Sequence, residues 1–509
     1  MKTLISIINL LCLLMLATPL VAQSSDRQLH DSVCGMGQTI IYPAPDDEEA
    51  STDYSVKINN IPVFIYQARV SSAPINQIWP GYQRPLEQTE FAAFGYFDTD
   101  EVVDVEIESR INIKTVTIRP ISKNIKPQVT GNRIYFQVKE PCQLVVEVND
   151  HHHALHLFVN PVEKCKKHQD QYTWYFGHGR HQPGIIELKD NETVYIEGGA
   201  IVETLFRANN AKNVKIQGRG IVDASSFERD RGVIINFEKC ENVTIEGIIL
   251  KDSPVWTLTA LESRNVSIDN VKLIGNWRYN SDGIDIVNSR DVTVNNSFIR
   301  AFDDCIAIKG TNWSKNESSV SNVHVNNCVI WCDWGTAIQI GSETVADSIH
   351  HCFFSNCDII HYHFVALGMQ CGDKALVFDI HYEDIRVEEP LVENSYYDNP
   401  QNPIRDISKS GNYGAMKYSN AHLDKIISIS IEKNLYSQDD KRGKVYNISY
   451  KNIQSHSNYF PKFIFTGYDE NHDISDVFIE DIFINGKKVN NMNELILSND
   501  FVRKIIYAY

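Results

Sequence analysis

Three aspartates have the spacing expected of side chains that act together. Asp282 lies in the segment Asn280–Asp285, and Asp303 and Asp304 begin the segment Asp303–Ala307. Asp282 and Asp303 are 21 residues apart, a distance that stacks one position above the other in a coiled solenoid of strands. The three carboxyl groups would then meet on one surface. Such a cluster can supply the acid and the base that cleave a glycosidic bond.

The adjacent pair Asp303 and Asp304 needs a particular backbone to be useful. The apolar stretch Cys305–Ile308 follows it directly. Because successive side chains of a regular strand point to opposite faces, we expect a bend or bulge that turns both carboxyl groups outward. Carboxyl groups that lie close together raise each other's pKa, which can keep one of them protonated as a general acid. The alternative is a polar turn of the solenoid without a catalytic role.

A short sequence repeat predicts the fold that positions these aspartates. Each copy is Asn or Asp followed by alternating apolar residues, and copies start at intervals of 29, 23, 26 and 31 residues, at Asn213, Asn242, Asn265, Asp291 and Asn322. This period marks a solenoid, and the alternation indicates strands instead of helices. We therefore predict a parallel β-solenoid over residues 166–509. An Asn at a fixed coil position tolerates left-handed backbone and can hydrogen bond along the stack.

Residues 23–165 follow a different pattern. Period-two alternation occurs in the short segments Tyr54–Ile58, Val103–Ile107 and Thr115–Ile118, and turn residues separate them. This pattern predicts a small antiparallel β-sandwich domain in front of the solenoid. We expect the sandwich to brace the end of the solenoid or to contact the ligand.

Residues 1–22 predict a secretory signal peptide. Lys2 precedes the apolar run Leu4–Leu16, and the small residue Ala22 provides a cleavage position. The run is short for a membrane span, so we expect no span in the mature chain. The predicted location is secreted or periplasmic.

Composition narrows the choice of partners. The net charge of −17 disfavours nucleic acid, and the chain has no phosphate-binding loop, so we expect no nucleic acid and no cofactor. Cys328 and Cys332 have a spacing that metal sites also use, but cysteine packs well as a small apolar residue, and we expect no metal. Six cysteines are then interior residues of the solenoid, namely Cys305, Cys328, Cys332, Cys352, Cys357 and Cys371.

The two aspartate segments resemble the signature of the polygalacturonases, glycoside hydrolase family 28. The match includes Asn280–Asp285, Asp303–Ala307 and their separation. The related dextranase and isopullulanase family, family 49, is similar in its carboxylate arrangement. It also places an N-terminal β-sandwich before its solenoid. The resemblance implies an all-β chain with a small β-sandwich domain followed by a right-handed parallel β-helix, the pectin-lyase-like solenoid.

The resemblance also implies a reaction. Asp304 would be the general acid, and Asp282 and Asp303 would orient and deprotonate the attacking water, with inversion at the sugar carbon. The expected activity is hydrolysis of a polysaccharide, most closely of the polygalacturonase type that acts on pectin. The alternatives are a dextranase-like hydrolase of a neutral α-glucan and a non-catalytic glycan-binding solenoid. A polysaccharide lyase is disfavoured, because the aspartate trio lacks the basic residue that such an enzyme needs.

Two features of the chain depart from the polygalacturonase pattern. Asp333–Ala337, where that family carries Gly-His-Gly, contains no histidine, and the family's Arg-Ile-Lys motif is absent. The nearest segment to that motif is Gln370–Lys374. These departures favour a substrate other than polygalacturonate, whereas the aspartate signature favours a pectic substrate.

Several residues are candidates for binding the sugar chain. They lie within or beside the aspartate segments, about one coil beyond them, or, for Lys374, in the stretch nearest to the missing Arg-Ile-Lys motif. Each could instead be a packed or solvated side chain: Asn280, Arg278, Lys309, Gln339, Glu343 and Lys374. A polar stretch from Glu389 to Arg442 interrupts the repeat. We predict that it is a long loop flanking the groove.

Overall fold

A computed structural model describes residues 38–72, 80–163, 169–313, 319–391, 424–457 and 461–508. These residues lie in one compact unit. They contain strands and short 3₁₀ turns but no α-helix, so none of them forms a helix long and apolar enough to cross a membrane. The 3₁₀ turns are Pro80–Tyr82, Leu86–Gln88, Ile121–Lys123, Gln169–Gln171, Arg229–Arg231 and Met492–Glu494. The predicted signal peptide lies outside the described residues.

Two sheets form a β-sandwich over residues 39–160. The first has six strands, Thr39–Ile41, Tyr66–Ser71, Thr89–Thr99, Val116–Arg119, Cys142–Val148 and Leu155–Asn160. The second has five strands, Tyr54–Ile58, Ile61–Val63, Val103–Ser109, Gln128–Thr130 and Arg133–Val138. Inward-facing apolar residues of both sheets, such as Val105 and Leu157, form one core between them.

One detail of the predicted sandwich is wrong. Strands Thr89–Thr99 and Leu155–Asn160 run parallel, so the sandwich is not purely antiparallel. Alternation of apolar residues predicts which face of a strand is buried, but it carries no information on the direction of the neighbouring strand.

Thirty strands from Trp174 onward form the predicted parallel β-helix, whose coils present three faces. The first face consists of Trp174–Phe176, Thr193–Ile196, Lys212–Gly218, Glu241–Glu246, Arg264–Asp269, Arg290–Asn295, Val320–Asn326, Ser348–Ser355, Leu376–Pro390, Lys444–Ser455, Ile474–Ile484 and Val502–Ala508. The second consists of Gly179–Leu188, Ala200–Asn209, Ile235–Glu238, Leu258–Leu261, Ile284–Val287, Ile306–Gly310, Thr336–Thr344, Val365–Cys371, Asp424–Ile431, Pro461–Thr466 and Ile496–Ser498. The third consists of Ile221–Asp223, Ile249–Lys251, Lys272–Ile274, Phe298–Ala301, Val329–Cys332 and Asp358–Tyr362, and the short strand Lys487–Lys488 adds an antiparallel edge.

The repeated Asn position has the geometry predicted for it. Asn213, Asn242 and Asn265 have left-handed φ angles of 56°, 58° and 54°. The side-chain amide of Asn242 donates to Asn213 at 2.9 Å, and that of Asn265 donates to Asn242 at 2.6 Å. The amides thus form a ladder along the stack.

Aliphatic side chains and cysteines fill the interior of the solenoid. All six cysteines predicted to lie there are buried in this core, and the structure contains no disulfide among the described residues. The prediction that these cysteines pack as apolar residues is confirmed.

The sandwich packs along the third face of the solenoid. Phe94 and Phe158 of the sandwich share a buried cluster with Phe298 and Trp331 of the solenoid. The prediction that the sandwich braces the end of the solenoid is therefore replaced by lateral packing across several coils. The predicted boundary at residues 165 and 166 falls among residues that are not described.

The predicted loop from Glu389 to Arg442 is partly wrong. The strand Leu376–Pro390 extends into it, and Asp424–Ile431 is a strand that continues the second face. Ile427 and Ile429 of that strand are buried in the solenoid core, which explains why the segment is ordered as a coil. Residues 392–423 lie outside the described part of the chain.

Candidate active site

The pairing register of the second-face strands determines which aspartates lie next to each other in successive coils. Ile284 pairs with Ile306, an offset of 22 residues, which aligns Asp282 with Asp304 when it is extended two residues back. The prediction that Asp303 is the stacked partner is therefore wrong by one residue, because the coil at this point has 22 residues instead of 21. Asp303 and Asp304 lie in a bend before the strand Ile306–Gly310, as predicted.

The three aspartates line one cavity of about 490 Å³. Its floor is formed by the second face, and the chain after the strand Asp424–Ile431 forms one of its sides. The lining residues include Trp256, Asn280, Asp282, Asp303, Asp304, Lys309, Trp334, Gly335, Thr336, Gln339, Ser342, Glu343, Phe364, Gln370, Glu432, Lys433, Asn434, Leu435 and Tyr436.

Asp282 is held by a buried ammonium group. Lys309 Nζ donates a hydrogen bond to Asp282 Oδ2 at 2.9 Å and lies 2.9 Å from Asp285 Oδ1. Burial raises the pKa of both aspartates, and Lys309 opposes the rise. The charge of Asp282 adds to the effect of burial at Asp285, whose pKa is raised well above its usual range.

Asp303 and Asp304 share a site with several carboxyl groups, where Asp303 is buried and Asp304 is half-buried. Burial, followed by the charges of Asp282 and Asp304, raises the pKa of Asp303 well above its usual range. Burial and the charge of Asp282 raise the pKa of Asp304 to about 7, although the backbone N–H of Thr336 donates to its Oδ1 at 2.9 Å. Asp304 is also the most exposed of the three catalytic candidates. It can therefore carry a proton near neutral pH and deliver it into the cavity.

Gly335 allows the next coil to approach the aspartate pair. A methyl group at this position would lie 2.6 Å from the carbonyl carbon of Asp303 and 2.8 Å from its Oδ1, closer than real side chains come. The stretch that lacks the polygalacturonase histidine thus supplies a close backbone contact to the aspartates.

Four of the six predicted sugar-binding residues reach the cavity. Asn280, Lys309, Gln339 and Glu343 line it, although Lys309 is engaged by carboxylates. Arg278 and Lys374 are not among the lining residues. Arg278 instead binds Asp252 at 3.1 Å and the carbonyl oxygen of Ser225 at 3.2 Å.

Aromatic residues of the cavity escaped the sequence analysis. Lys309 Nζ lies 4.0 Å from the ring centroid of Trp256, whose ring is 5.4 Å from that of the exposed Trp313. On another part of the lining, Trp334 and Phe364 stack with a centroid distance of 6.4 Å. The sequence indicates this pair only by the separation of Trp334 and Phe364, which is about one coil. The flat faces of aromatic rings suit the apolar faces of sugars.

The sandwich contributes side chains beside the cavity. Tyr82 stacks on Tyr279 at 5.7 Å, and Arg229 lies over both rings and donates to Asn280 at 2.9 Å. Arg84 is buried, and its guanidinium carbon lies 4.4 Å from the ring centroid of Phe302, the residue next to the aspartate pair. Alternation patterns cannot reveal such contacts, because they join residues about 200 positions apart. Among the described residues, no cluster of three His, Cys, Asp or Glu side chains forms a metal site.

Residues 186–403, under half of the chain, match the model of the Glycosyl hydrolases family 28. A probable exopolygalacturonase B of Aspergillus terreus is 26% identical over 186 residues, which are 33% of this chain and 40% of that relative. Exopolygalacturonase rpg15 of Rhizopus delemar is 24% identical over 265 residues, 48% of this chain and 61% of that relative. The alignments therefore span less than two thirds of either relative.

The solved structure of Dex49A from Penicillium minioluteum has a similar fold. It superimposes with a TM-score of 0.63 over 92% of this chain and 96% of that chain, at 15% identity, so the likeness concerns the fold alone. The predicted right-handed parallel β-helix behind a sandwich is confirmed. The predicted resemblance to polygalacturonase-like glycoside hydrolases is confirmed as well, since residues 186–403 match the family 28 model and the similar relatives are named exopolygalacturonases.

Proposed function

We propose that this chain hydrolyses glycosidic bonds of a polysaccharide by direct displacement with inversion. The observation that carries the proposal is the meeting of Asp282, Asp303 and Asp304 in one cavity, with the pKa of Asp304 raised to about 7. Asp304 protonates the leaving oxygen, while Asp282 and Asp303 together orient a water molecule, and Asp282, the one beside Lys309, removes its proton as the water attacks the sugar carbon. Lys309 favours the ionised form of Asp282 for that role.

Pectic polysaccharide is the first substrate to test, because the relatives that match the chain are named exopolygalacturonases. A neutral α-glucan is the second candidate, and the charges of the cavity favour it. The lining has five carboxyl groups, and both of its lysines already pair with carboxylates, Lys309 with Asp282 and Lys433 with Asp440. A polymer of uronic acids would have to bind without a free cation among these lining residues.

Release of reducing ends tests this proposal. Wild-type protein would be incubated with polygalacturonate, rhamnogalacturonan, dextran and pullulan, beside Asp304→Asn as a matched variant that cannot donate the proton. We expect cleavage of one substrate by the wild type and a loss of at least about 10³-fold in the variant. Tight binding of a glycan without cleavage would instead support a glycan-binding solenoid.

We also propose that the chain is exported. The support is the sequence of residues 1–22 alone. Expression of the full chain followed by N-terminal sequencing should find a mature protein that starts near Gln23, and an uncleaved intracellular product would contradict the proposal.

A further inference from the structure

One side of the cavity is formed by a segment without regular structure. This wall segment, residues 432–443, joins the strands Asp424–Ile431 and Lys444–Ser455. Five consecutive residues of the wall segment line the cavity, from Glu432 to Tyr436. The relative exposure of Leu435 is 55% and that of Tyr436 is 37%, so large apolar side chains stand open at the cavity. Exposed apolar groups at a pocket commonly mark a ligand contact.

A single buried carboxylate fixes the position of the wall segment. Asp373 Oδ1 accepts hydrogen bonds from the backbone N–H groups of Gln438 at 2.5 Å and Asp439 at 2.9 Å. Its Oδ2 accepts from the backbone N–H of Thr344 at 2.9 Å. The side chain of Asp373 is fully buried, and its partners are backbone amides. Hydrogen bonds from N–H groups to a carboxylate are among the stronger ones in proteins.

These contacts join the wall segment to the floor of the cavity. Thr344 directly follows Glu343, which lines the cavity, on the strand Thr336–Thr344. Ser437 Oγ adds a bond to the carbonyl oxygen of Gly372 at 2.7 Å, and Gly443 N donates to the carbonyl oxygen of Asp373 at 2.8 Å. The hydrogen bonds of Asp373 and of the adjacent Gly372 therefore set the distance between the wall segment and the floor of the cavity.

We propose that the wall segment is a sugar-binding subsite and that Asp373 is its positioning residue. Tyr436 and Leu435 pack against the sugar that the aspartates hold, and Glu432, which accepts a hydrogen bond from Gln370 at 2.8 Å, faces its hydroxyl groups. Asp373 itself does not touch the substrate. This inference rests on the proposed glycoside hydrolase function, since it names the part of the same site that binds the sugar chain.

Steady-state kinetics on the substrate that the wild type cleaves test the subsite. Tyr436→Ala removes the proposed contact with the sugar directly. Asp373→Asn replaces the carboxylate that holds the wall segment with a weaker hydrogen-bond acceptor. We expect each to raise KM by about fivefold or more while kcat stays within about twofold, because binding energy common to ground state and transition state is lost. Ser437→Ala, which removes one hydrogen bond, should give the same split with a smaller rise. Asp358→Asn is a matched control, since Asp358 is a buried carboxylate that pairs with Arg386 away from the cavity.

Amide hydrogen exchange supplies a second readout that does not depend on activity. In Asp373→Asn, exchange at Gln438 and Asp439 should accelerate by about tenfold or more, whereas the core strand Ile306–Gly310 keeps its protection. An active wild type with unchanged KM in Tyr436→Ala and Asp373→Asn would overturn this inference alone. An inactive wild type, with no substrate cleaved, would overturn the proposed function and the subsite with it.

Discussion

At the scale of single residues, the site is a set of carboxyl groups whose pKa values differ because their surroundings differ. Lys309 favours the charged form of Asp282 and opposes the rise of its pKa on burial, while burial and the charge of Asp282 favour the proton on Asp304. The trio and Lys309 could be predicted from the sequence, because they fall in two short segments about one coil apart. The sequence does not predict Asp285 as a partner of Lys309, since a carboxyl group three residues after a candidate catalytic aspartate carries no signal of its own.

The pKa of Asp304 predicts the pH dependence of both activity and stability. Below pH 7 Asp304 carries the proton needed for acid catalysis, so activity should fall as the pH rises through about 7. The folded-state pKa is raised above the unfolded value of 3.8, so the native state binds the extra proton and its stability falls as the pH rises from about 4 to 7. Asp304→Asn should weaken this decline. Thermal melts at pH 4 and pH 8 check it, and identical pH dependence in both proteins would contradict it.

Lys309→Met should damage both folding and catalysis. It leaves Asp282 and Asp285 buried without a cation, which typically costs about 3–5 kcal/mol of unfolding free energy. Activity should fall by at least about 10²-fold, because Asp282 then binds a proton. Urea denaturation and rate measurements test this. Lys309→Arg, which keeps the charge, should retain more stability, and equal losses in both variants would contradict the ion-pair account.

At the scale of structural elements, the coil repeat decides what can be predicted. Strand alternation and the recurring Asn predict the solenoid and its ladder, since each coil repeats the same local requirement. The strand Asp424–Ile431 and the wall segment were assigned to one loop, because the long insertion breaks the period that carries the signal. The position of Trp256 at the cavity depends on how the coils superimpose, which the sequence alone does not specify.

Two substitutions at Asn242 test how much the left-handed backbone limits a position of the Asn ladder. Alanine loses the hydrogen bonds to Asn213 and Asn265 and must also adopt a left-handed φ of 58°, whereas glycine loses the bonds but adopts that φ freely. We expect Asn242→Ala to be less stable than Asn242→Gly by about 1 kcal/mol. Chemical denaturation of both variants measures this difference. Equal stability would show that backbone geometry does not limit this position.

At the scale of the whole molecule, the sandwich is a lateral support for the solenoid and reaches the site. The ring centroids of Phe158 and Phe298 are 5.2 Å apart, and Tyr82 stacks on Tyr279 beside the cavity. The sequence predicts that both parts exist, but not that they pack side by side, because the contacts join distant positions. The described residues form one compact unit, so we expect the two parts to unfold together.

Phe158→Ala tests this coupling. The side chain is fully buried between the two parts, and its loss should cost about 3–5 kcal/mol. The midpoint of solenoid unfolding, followed by a probe in the solenoid, should fall together with that of the sandwich. Ile61→Ala is a control, since Ile61 is 54% exposed on the sandwich. Two separate transitions, with only the sandwich destabilised, would contradict the coupling.

The most direct test of the central claim, hydrolysis by the three aspartates, is the anomeric configuration of the first product. Proton nuclear magnetic resonance during cleavage of the substrate found in the panel would follow the new reducing end, with Asp304→Asn as the inactive control. The account predicts an initial product of inverted configuration, which later equilibrates, and no product in the variant. A product of retained configuration, an unsaturated product, or undiminished cleavage by Asp304→Asn would contradict it.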